Sequence, residues 1–179
     1  MAKIYRIYNS TATSTAAPVK QPTGTAIRTM LQIQLGTGQM GRVVEWGCSF
    51  DASAAAPPGQ VELFACSGAA TMSTAATNAD IMPFNDAYAF VNASNVPFAL
   101  STTTTGFATA AVTEGTVANY RSFDAQLIAP TNQYVKQFPL GREPEFAAVL
   151  RDGTTPAFVR VRMTFGTTVN AYIYVDVEV

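Results

Sequence analysis

The chain has 179 residues, of which 13% are charged and 48% apolar, and it contains no histidine. An average soluble domain has about 25% charged residues, so few charges must lose water when this surface packs against another protein. The net charge of −1 gives no attraction toward nucleic acids or anionic membranes, and the missing histidine closes the commonest route to acid–base catalysis near neutral pH.

The N-terminal residues 1–22 are expected to form an extended arm, followed by a single domain over residues 23–179. Between Asn9 and Thr25 the chain is rich in Ser, Thr, Ala and Pro and has almost no large apolar side chain. Such a composition favours a flexible segment, which we expect to dock on a neighbouring chain by strand addition or by wrapping. The first eight residues alternate instead of forming an apolar block, which argues against a secretory signal peptide.

Four segments alternate apolar and polar side chains, as strands with one buried face do. They are residues 27–35, 44–50, 159–165 and 171–179. Shorter candidate strands are residues 61–66, 112–123 and 134–138. Because glycine and proline turns separate these segments and no helical periodicity appears, the sequence predicts an all-β fold, either an antiparallel β-sandwich or a barrel.

Two connections are distinctive. Residues 36–41 match the spacing G-x-G-x-x-G, but a strand rather than a helix follows, so we expect a glycine-rich hairpin turn and not a dinucleotide site. Residues 67–105 form a long connection of low hydrophobicity, which is uncommon inside a compact domain.

The last two predicted strands are expected to form a hairpin around the loop 166–170. Residues that face each other in an antiparallel pair share a face of the sheet, so buried odd positions should meet buried odd positions. The resulting register pairs Phe165 with Ala171, Met163 with Ile173, Val161 with Val175, Arg160 with Asp176 and Arg162 with Tyr174.

The two cysteines, Cys48 and Cys66, are too few for a disulfide scaffold or a zinc site. We expect two small buried thiols in a reducing compartment, with a disulfide between neighbouring strands as the alternative. No Ser or Cys nucleophile has a histidine base, and no Gly-x-Ser-x-Gly elbow is present.

The carboxylates also lack a catalytic or calcium-binding spacing. We expect Asp124 to form an ion pair with Arg121, and Glu143 and Glu145, on either side of Pro144, to be solvated. Asp51, Asp80 and Asp86 are too scattered to predict a calcium loop. The sequence therefore assigns no catalytic, cofactor or metal residue, and the chain is not expected to be an enzyme.

Tyrosines supply the candidate binding residues. Tyr172 and Tyr174 lie on the outward face of the last predicted strand, and Tyr5 and Tyr8 lie near the N-terminus. Tyrosines on a sheet face can stack on sugars or anchor an interface, and ordinary cross-strand packing is the alternative. The candidate assembly interface consists of Ile4, Tyr5, Ile7, Tyr8, Tyr172 and Tyr174.

Several sequence motifs are distinctive: TGTAIRTMLQ at 23–32, EWGCSFD at 45–51, EGT at 114–116 followed by YRSFD at 120–124, and APTNQY at 129–134 followed by FPLGREP at 138–144. These motifs and their order along the chain resemble those of small structural proteins of tailed bacteriophages, especially the phages of actinobacteria. The resemblance runs from about residue 23 to the C-terminus. It implies a β-sandwich of the jelly-roll kind and a role as a capsid decoration, cement or head-fibre protein, and it transfers no catalytic residues.

The resemblance also implies partners and a location. The chain is expected to bind copies of itself, with a trimer favoured by analogy, and the major capsid protein, but neither nucleic acid nor membrane. It would be made in the host cytoplasm and end on the capsid surface of the virion. The alternative is a carbohydrate-binding β-sandwich module associated with a tail or fibre, in which case a glycan is the ligand.

Overall fold

The strands of this chain form two antiparallel sheets, in which neighbouring strands are joined by backbone hydrogen bonds. The computed structural model describes residues 3–11, 17–52, 56–84 and 97–179. Within these residues the strands are β1 Ile4–Tyr8, β2 Gln21–Pro22, β3 Arg28–Ile33, β4 Met40–Asp51, β5 Gly59–Ser67, β6 Thr74–Ala75, β7 Ile81–Pro83, β8 Gly106–Phe107, β9 Ala118–Ile128, β10 Gln133–Gln137, β11 Glu145–Ala147, β12 Ala157–Thr164 and β13 Asn170–Glu178. A short 3₁₀ helix spans Asn78–Asp80.

The two sheets pack as a sandwich, which confirms the predicted all-β class. The first sheet has the order β10-β4-β13-β1-β7, with β11 also pairing to β4 and β2 to β13. The second has the order β6-β8-β3-β12-β5-β9. Every pair is antiparallel, so one face of each sheet packs on the core and the other is turned outward.

The pairing is nested along the chain. Strand β5 pairs with β9, β4 with β10, β3 with β12, and β1 with β13. Successive pairs of this series lie in alternate sheets. The chain therefore folds as a long doubled ribbon that is rolled up, with its ends, β1 and β13, side by side in the first sheet.

One core lies between the sheets. The odd-numbered residues of β13, among them Ile173 and Val175, and those of β12, among them Val159 and Val161, are all buried. Trp46 lies among them and is completely buried. Both C-terminal strands thus contribute the same parity of residues to a single core.

The predicted hairpin between these strands is wrong, because β12 and β13 lie in different sheets. Arg160 is opposite Gln32 and Phe64, and Arg162 is opposite Thr29 and Glu62. Alternation shows which residues are buried, but strands that face each other across a core have the same burial pattern as strands that lie side by side. The loop after β12 crosses from one sheet to the other instead of reversing within one.

The glycine-rich segment 36–41 likewise is not a hairpin, since it connects β3 in one sheet to β4 in the other. It does contain a tight turn, in which Gln39 N–H donates to Gly36 O at 3.0 Å and Gly38 has a φ of 77°. Gly36 N–H donates to Pro97 O at 2.8 Å. The segment is a crossover corner between the sheets.

The expected N-terminal arm is also corrected for the residues that the structure describes. Strand β1 lies inside the first sheet, between β13 and β7, and β2 pairs with Asn170 and Ala171 of β13. These residues belong to the sandwich, because Tyr5 and Ile7 fill its core. Residues 12–16, in the middle of the expected arm, lie outside the described residues.

The remaining differences concern strand positions. Strand β9 begins at Ala118, whereas the pattern predicted a start at residue 112. The described residues of the low-hydrophobicity connection 67–105 include the short strands β6 and β7 and the 3₁₀ helix. Short strands of two or three residues are too brief to show a period in the sequence.

Candidate functional site

The outer face of the first sheet has a cluster of aromatic and charged side chains. We call this surface the tyrosine face and define it by Tyr8, Tyr172, Tyr174, Arg6, Glu45 and Asp176. The even-numbered residues of β1 and β13 point outward because the odd-numbered residues enter the core. The register places Tyr8 opposite Tyr174 and Arg6 opposite Asp176.

Tyr8 contacts both of the other tyrosines on this surface. The ring centroids of Tyr8 and Tyr172 are 5.3 Å apart with the planes 40° apart, and those of Tyr8 and Tyr174 are 6.4 Å apart with the planes 64° apart. Tyr174 lies over Gly47, where an added Cβ would come within 2.6 Å of the ring. A glycine at this position therefore allows the ring to lie close to strand β4.

Arg6 joins the aromatic and acidic parts of the tyrosine face. Its guanidinium donates two hydrogen bonds to the Asp176 carboxylate, at 2.7 and 2.6 Å, and one to Glu45 Oε1 at 3.4 Å. The carbon of the same guanidinium is 3.9 Å from the ring centroid of Tyr174 and 4.8 Å from that of Phe84. Tyr174 OH in turn donates to Glu45 Oε1 at 2.6 Å.

Burial changes the proton affinity of these groups. It raises the pKa of Tyr174, which the neighbouring Glu45 carboxylate raises further. It also raises the pKa of Tyr172 and of Asp176, although Arg6 opposes the rise at Asp176. The hydrogen bond to Asp176 raises the pKa of Arg6. At neutral pH both tyrosines keep their hydroxyl protons, and Tyr174 donates its hydrogen bond to Glu45.

Three of the six predicted interface residues come together here, namely Tyr8, Tyr172 and Tyr174, and each is half-buried. Ile4 is half-buried on the same side of β1. Tyr5 and Ile7 point the other way and are core residues, 6% and 0% exposed, so as surface residues they were predicted wrongly. The reason is that β1 is a strand, whose successive side chains alternate between faces.

Sequence reasoning missed Arg6, Glu45 and Phe84. The alternation within residues 4–8 places Arg6 and Tyr8 on one face, so Arg6 could have been found from that signal. Glu45 joins the tyrosine face only because β4 lies beside β13, and Phe84 contacts Arg6 because β7 lies beside β1. No local pattern in the sequence reports these neighbours.

A small groove lies beside the tyrosine face. It has a volume of about 90 Å³ and is lined by Tyr172 and Tyr174 on one side and by Gln133 and Val135 on the other. Its floor is formed by β4, whose outward residues Gly47 and Ser49 are small. They lie between the larger side chains of β10 and β13. The groove therefore combines aromatic walls with an amide and a hydroxyl group.

Asp124 does not pair with Arg121, which corrects that expectation. Its carboxylate accepts hydrogen bonds from Trp46 Nε1 at 3.2 Å, Tyr134 OH at 2.7 Å and Gln126 Nε2 at 2.9 Å. Burial and the hydrogen bond to the Asp124 carboxylate raise the pKa of Tyr134 to about 12. Arg121 instead donates to the backbone oxygen of Glu145. Asp124 thus satisfies the buried indole at the edge between the two sheets.

The cysteines are free and buried, and they lie in different sheets, Cys48 in β4 and Cys66 in β5. The alternative of a cross-strand disulfide is therefore wrong. Burial raises the pKa of Cys48 to about 12, and the Asp124 charge adds to the rise. Burial also raises the pKa of Cys66. Both groups remain thiols at neutral pH and are poor nucleophiles.

The outer face of the second sheet has a different character, because a segment of chain covers part of it. Residues 109–117 cross this face, and we call them the strap. Glu114 of the strap accepts hydrogen bonds from the backbone N–H and hydroxyl of Thr29 and pairs with Arg160, which is 0% exposed. Beside it, Arg162 pairs with Glu62 at 2.6 Å. The Glu114–Arg160 pair holds the strap, and both ion pairs are formed within the fold.

Glu143 and Glu145 differ in their surroundings. Glu145 is exposed, as expected. The Glu143 side chain is only 5% exposed, and its Oε2 atom lies 3.9 Å from Arg42 Nη1, so the prediction that Glu143 is solvated is wrong. Asp80 is buried and accepts hydrogen bonds from the backbone N–H and hydroxyl of Thr77, at 2.8 and 2.7 Å. Asp51 pairs with Lys20, and Asp86 lies outside the described residues.

The described ranges contain neither a cluster of metal-binding side chains nor a membrane-spanning helix. No group of three or more His, Cys, Asp or Glu side chains there could hold a metal ion. None of the helical residues described forms a helix long and apolar enough to span a membrane.

The most distinctive surface with the chemistry of a binding site is therefore the tyrosine face and its groove. Comparison of the chain with protein-family models, with curated proteins and with solved structures found no match.

Proposed function

We propose that this chain is a structural protein of a virion, which decorates or cements the capsid exterior as a homo-oligomer. The observation that carries the proposal is the nested pairing of β1 with β13, β3 with β12, β4 with β10 and β5 with β9, which supports a jelly-roll topology. Jelly-rolls occur in viral capsid proteins and in lectins. The resemblance of residues 23–179 to small phage structural proteins favours the first of these two uses.

The tyrosine face is the proposed surface for the major capsid protein. Tyrosine and arginine are the side chains that most often anchor protein interfaces, and here Arg6 is already aligned by Asp176 and Tyr174. A partner that covers this surface would bury rings whose positions are fixed, so little conformational entropy is lost. This assignment replaces the N-terminal arm as docking element, because β1 is an internal strand.

Binding of many weak copies suits this surface. Each copy would bury only part of a sheet face, yet the copies reinforce one another when neighbours on the shell also contact each other. The low proportion of charged residues, 13%, limits the cost of removing water from such contacts.

The test is co-sedimentation of the purified chain with capsids of the same phage that lack it. We expect saturable binding by the unchanged chain and at least tenfold weaker binding by Tyr172→Arg, which places a long charged side chain on the tyrosine face. The matched control is Leu127→Arg on β9, which lies in the other sheet and should bind normally. Failure of the unchanged chain to bind, or equal binding by Tyr172→Arg, would contradict the proposal.

The alternative function, a carbohydrate-binding module of a tail or fibre, is favoured by one observation, the groove between Tyr172, Tyr174 and Gln133. Aromatic side chains beside an amide and a hydroxyl group are the kinds of group that contact a sugar. The planes of the Tyr8 and Tyr172 rings are 40° apart, however, so these two rings do not form a flat platform on which a sugar could stack. A glycan array probed with the purified chain and with Tyr172→Ala distinguishes the two functions, because only the alternative predicts glycan signals that the substitution abolishes.

A further inference from the structure

The strap that crosses the second sheet covers a small apolar cluster on the outer face of that sheet. Phe64 and Cys66 of β5 and Phe158 of β12 form the cluster, and all three side chains are buried. The main core lies on the other face of the same sheet. Val117 of the strap and Ala69 pack on the cluster, so segments outside the two sheets keep water away from it.

The strap itself has few attachments. None of residues 109–117 is buried, and they contain no strand. An isolated bridge joins Thr113 to Thr71, with N–H to oxygen bonds of 2.8 and 3.2 Å, and Ser73 Oγ accepts exposed hydrogen bonds from the backbone at the start of the strap. Segments with little burial and exposed hydrogen bonds open at a lower free energy than core strands do.

Two features hold the middle of the strap closed. The Glu114 carboxylate accepts hydrogen bonds from Thr29 and pairs with the buried Arg160. At the next residue, Gly115, the backbone has a φ of 65°, and an added Cβ would lie 2.2 Å from Ala69 O. The closed strap therefore depends on one ion pair and on a close backbone contact that only glycine allows.

The strap also controls the reactivity of Cys66. Burial raises the pKa of this thiol, the charges of Arg160 and Arg162 lower it, and that of Glu114 raises it. Both arginines belong to β12, which pairs with β5, so they stay beside Cys66 when the strap lifts, whereas Glu114 and much of the burial are removed. Opening thus favours the reactive thiolate. Arg160 Nη1 is buried without a hydrogen-bond partner in the part of the chain described, so this guanidinium keeps an unused donor under the strap.

From these observations we infer that the strap is a latch that opens while the sandwich stays folded, and that its opening makes Cys66 a site of thiol modification by electrophiles. The thiol gives its proton to solvent, and the sulfur adds to the electrophile. With a Michael acceptor such as N-ethylmaleimide, one C–S bond replaces the carbon–carbon π bond, and the neighbouring carbon takes up a proton. Because it concerns the isolated chain, this latch is independent of the capsid role.

Alkylation of the unchanged chain with N-ethylmaleimide, followed by peptide mass spectrometry, tests the latch. The two cysteines are matched reporters, because both are buried but Cys48 lies in the main core and Cys66 under the strap. We expect Cys66 to react roughly tenfold faster than Cys48 or more. Low urea should accelerate Cys48 much more than Cys66, since global unfolding exposes far more surface than strap opening. A Cys66 that reacts no faster than Cys48, or an equal urea dependence, would overturn the inference.

Two variants separate strap opening from global unfolding. Glu114→Gln removes a contact that exists only while the strap is closed, so it should raise the Cys66 rate roughly tenfold or more, whereas Glu145→Gln, at an exposed glutamate, should not. Ile7→Ala weakens the main core, which stays intact when the strap opens, so it should accelerate Cys48 and leave Cys66 unchanged. Parallel acceleration of both cysteines by Ile7→Ala, or no effect of Glu114→Gln on Cys66, contradicts the latch.

The close backbone contact has its own matched pair of variants. Gly115→Ala places a Cβ against Ala69 O and should raise the Cys66 rate. Gly153→Ala makes the same change at a φ of 73° with nothing within 4 Å of the added Cβ, and should leave that rate unchanged. Equal Cys66 rates in these two variants would show that Gly115 does not hold the strap closed.

Discussion

At the residue scale, the pair formed by Glu114 and Arg160 shows how a charge becomes part of the interior. Arg160 is 0% exposed on a central strand, and the partly exposed Glu114 reaches it from the strap. The guanidinium also donates to Thr29 Oγ1 at 3.0 Å and to the Glu114 backbone oxygen at 3.1 Å. Its positive charge is compensated chiefly by the Glu114 carboxylate.

We predict that Glu114→Gln lowers the free energy of unfolding by about 3 kcal/mol, because removing one partner leaves a buried charge uncompensated. Urea denaturation measures the change. Glu145→Gln is the control, and since Glu145 is exposed it should alter stability by less than about 0.5 kcal/mol. Equal stabilities of the two variants would show that the strap is not held by this pair.

Asp152 provides a pH-dependent test of a loop. Its carboxylate accepts hydrogen bonds from the Thr155 hydroxyl and from the backbone N–H groups of Thr155 and Thr154, which lower its pKa from 3.8 to about 2. Because the folded pKa is lower than the unfolded one, the stabilisation is present above about pH 4 and is lost as the pH falls toward 2.

Carbon-13 NMR titration of the Asp152 carboxyl group should therefore give a midpoint near 2 in the unchanged chain. In Thr155→Val, which lacks the hydroxyl donor, the midpoint should move up toward 3.8. A midpoint of 3.8 in the unchanged chain would mean that this turn is not formed in solution.

At the element scale, strand β1 decides whether the N-terminus belongs to the domain. Ile7 is completely buried between the sheets. The segment that follows it, residues 9–25, nevertheless has the composition of a flexible arm. Ile7→Ala should lower the free energy of unfolding of the isolated chain by about 2–5 kcal/mol, as large-to-small changes in a core do.

Ile27→Ala is the control for this experiment, because it is the same chemical change at a side chain that is 47% exposed. Its effect should be much smaller. If Ile7→Ala had no effect on thermal or urea unfolding, residues 4–8 would be an external arm after all.

The same scale shows how far sequence reasoning extends. The alternation in residues 44–50, 159–165 and 171–179 predicts strands correctly, and most of the apolar side chains that it assigns to the core are buried; at Val44 it fails, because Val43 enters the core instead. It could not predict that β12 and β13 lie in different sheets, because burial parity is identical for strands that face each other and strands that pair. Partners of strands depend on the path of the whole chain.

In the candidate site, too, the residues of one strand could be predicted from the sequence, whereas those that depend on strand pairing could not. Tyr172 and Tyr174 were predictable as outward residues from the parity of one strand. Arg6 and Glu45 join them because β1 and β4 flank β13, an arrangement set by the rolled ribbon and not by any local pattern. Tertiary pairing assembles the tyrosine face from residues far apart in sequence.

At the scale of the whole molecule, the two outer faces are unequal. The second sheet has its central charges paired internally beneath the strap, whereas the first presents the half-buried rings of the tyrosine face. If the chain decorates a shell, this asymmetry predicts its orientation, with the first sheet toward the capsid and the second away from it.

Cryo-electron microscopy of the virion to which we assign this chain is the most direct test of the proposed capsid role. We predict repeated copies of the sandwich on the capsid exterior, with the tyrosine face against the major capsid protein. Density for the chain only on the tail, or on the capsid with the second sheet facing the shell, would contradict the account.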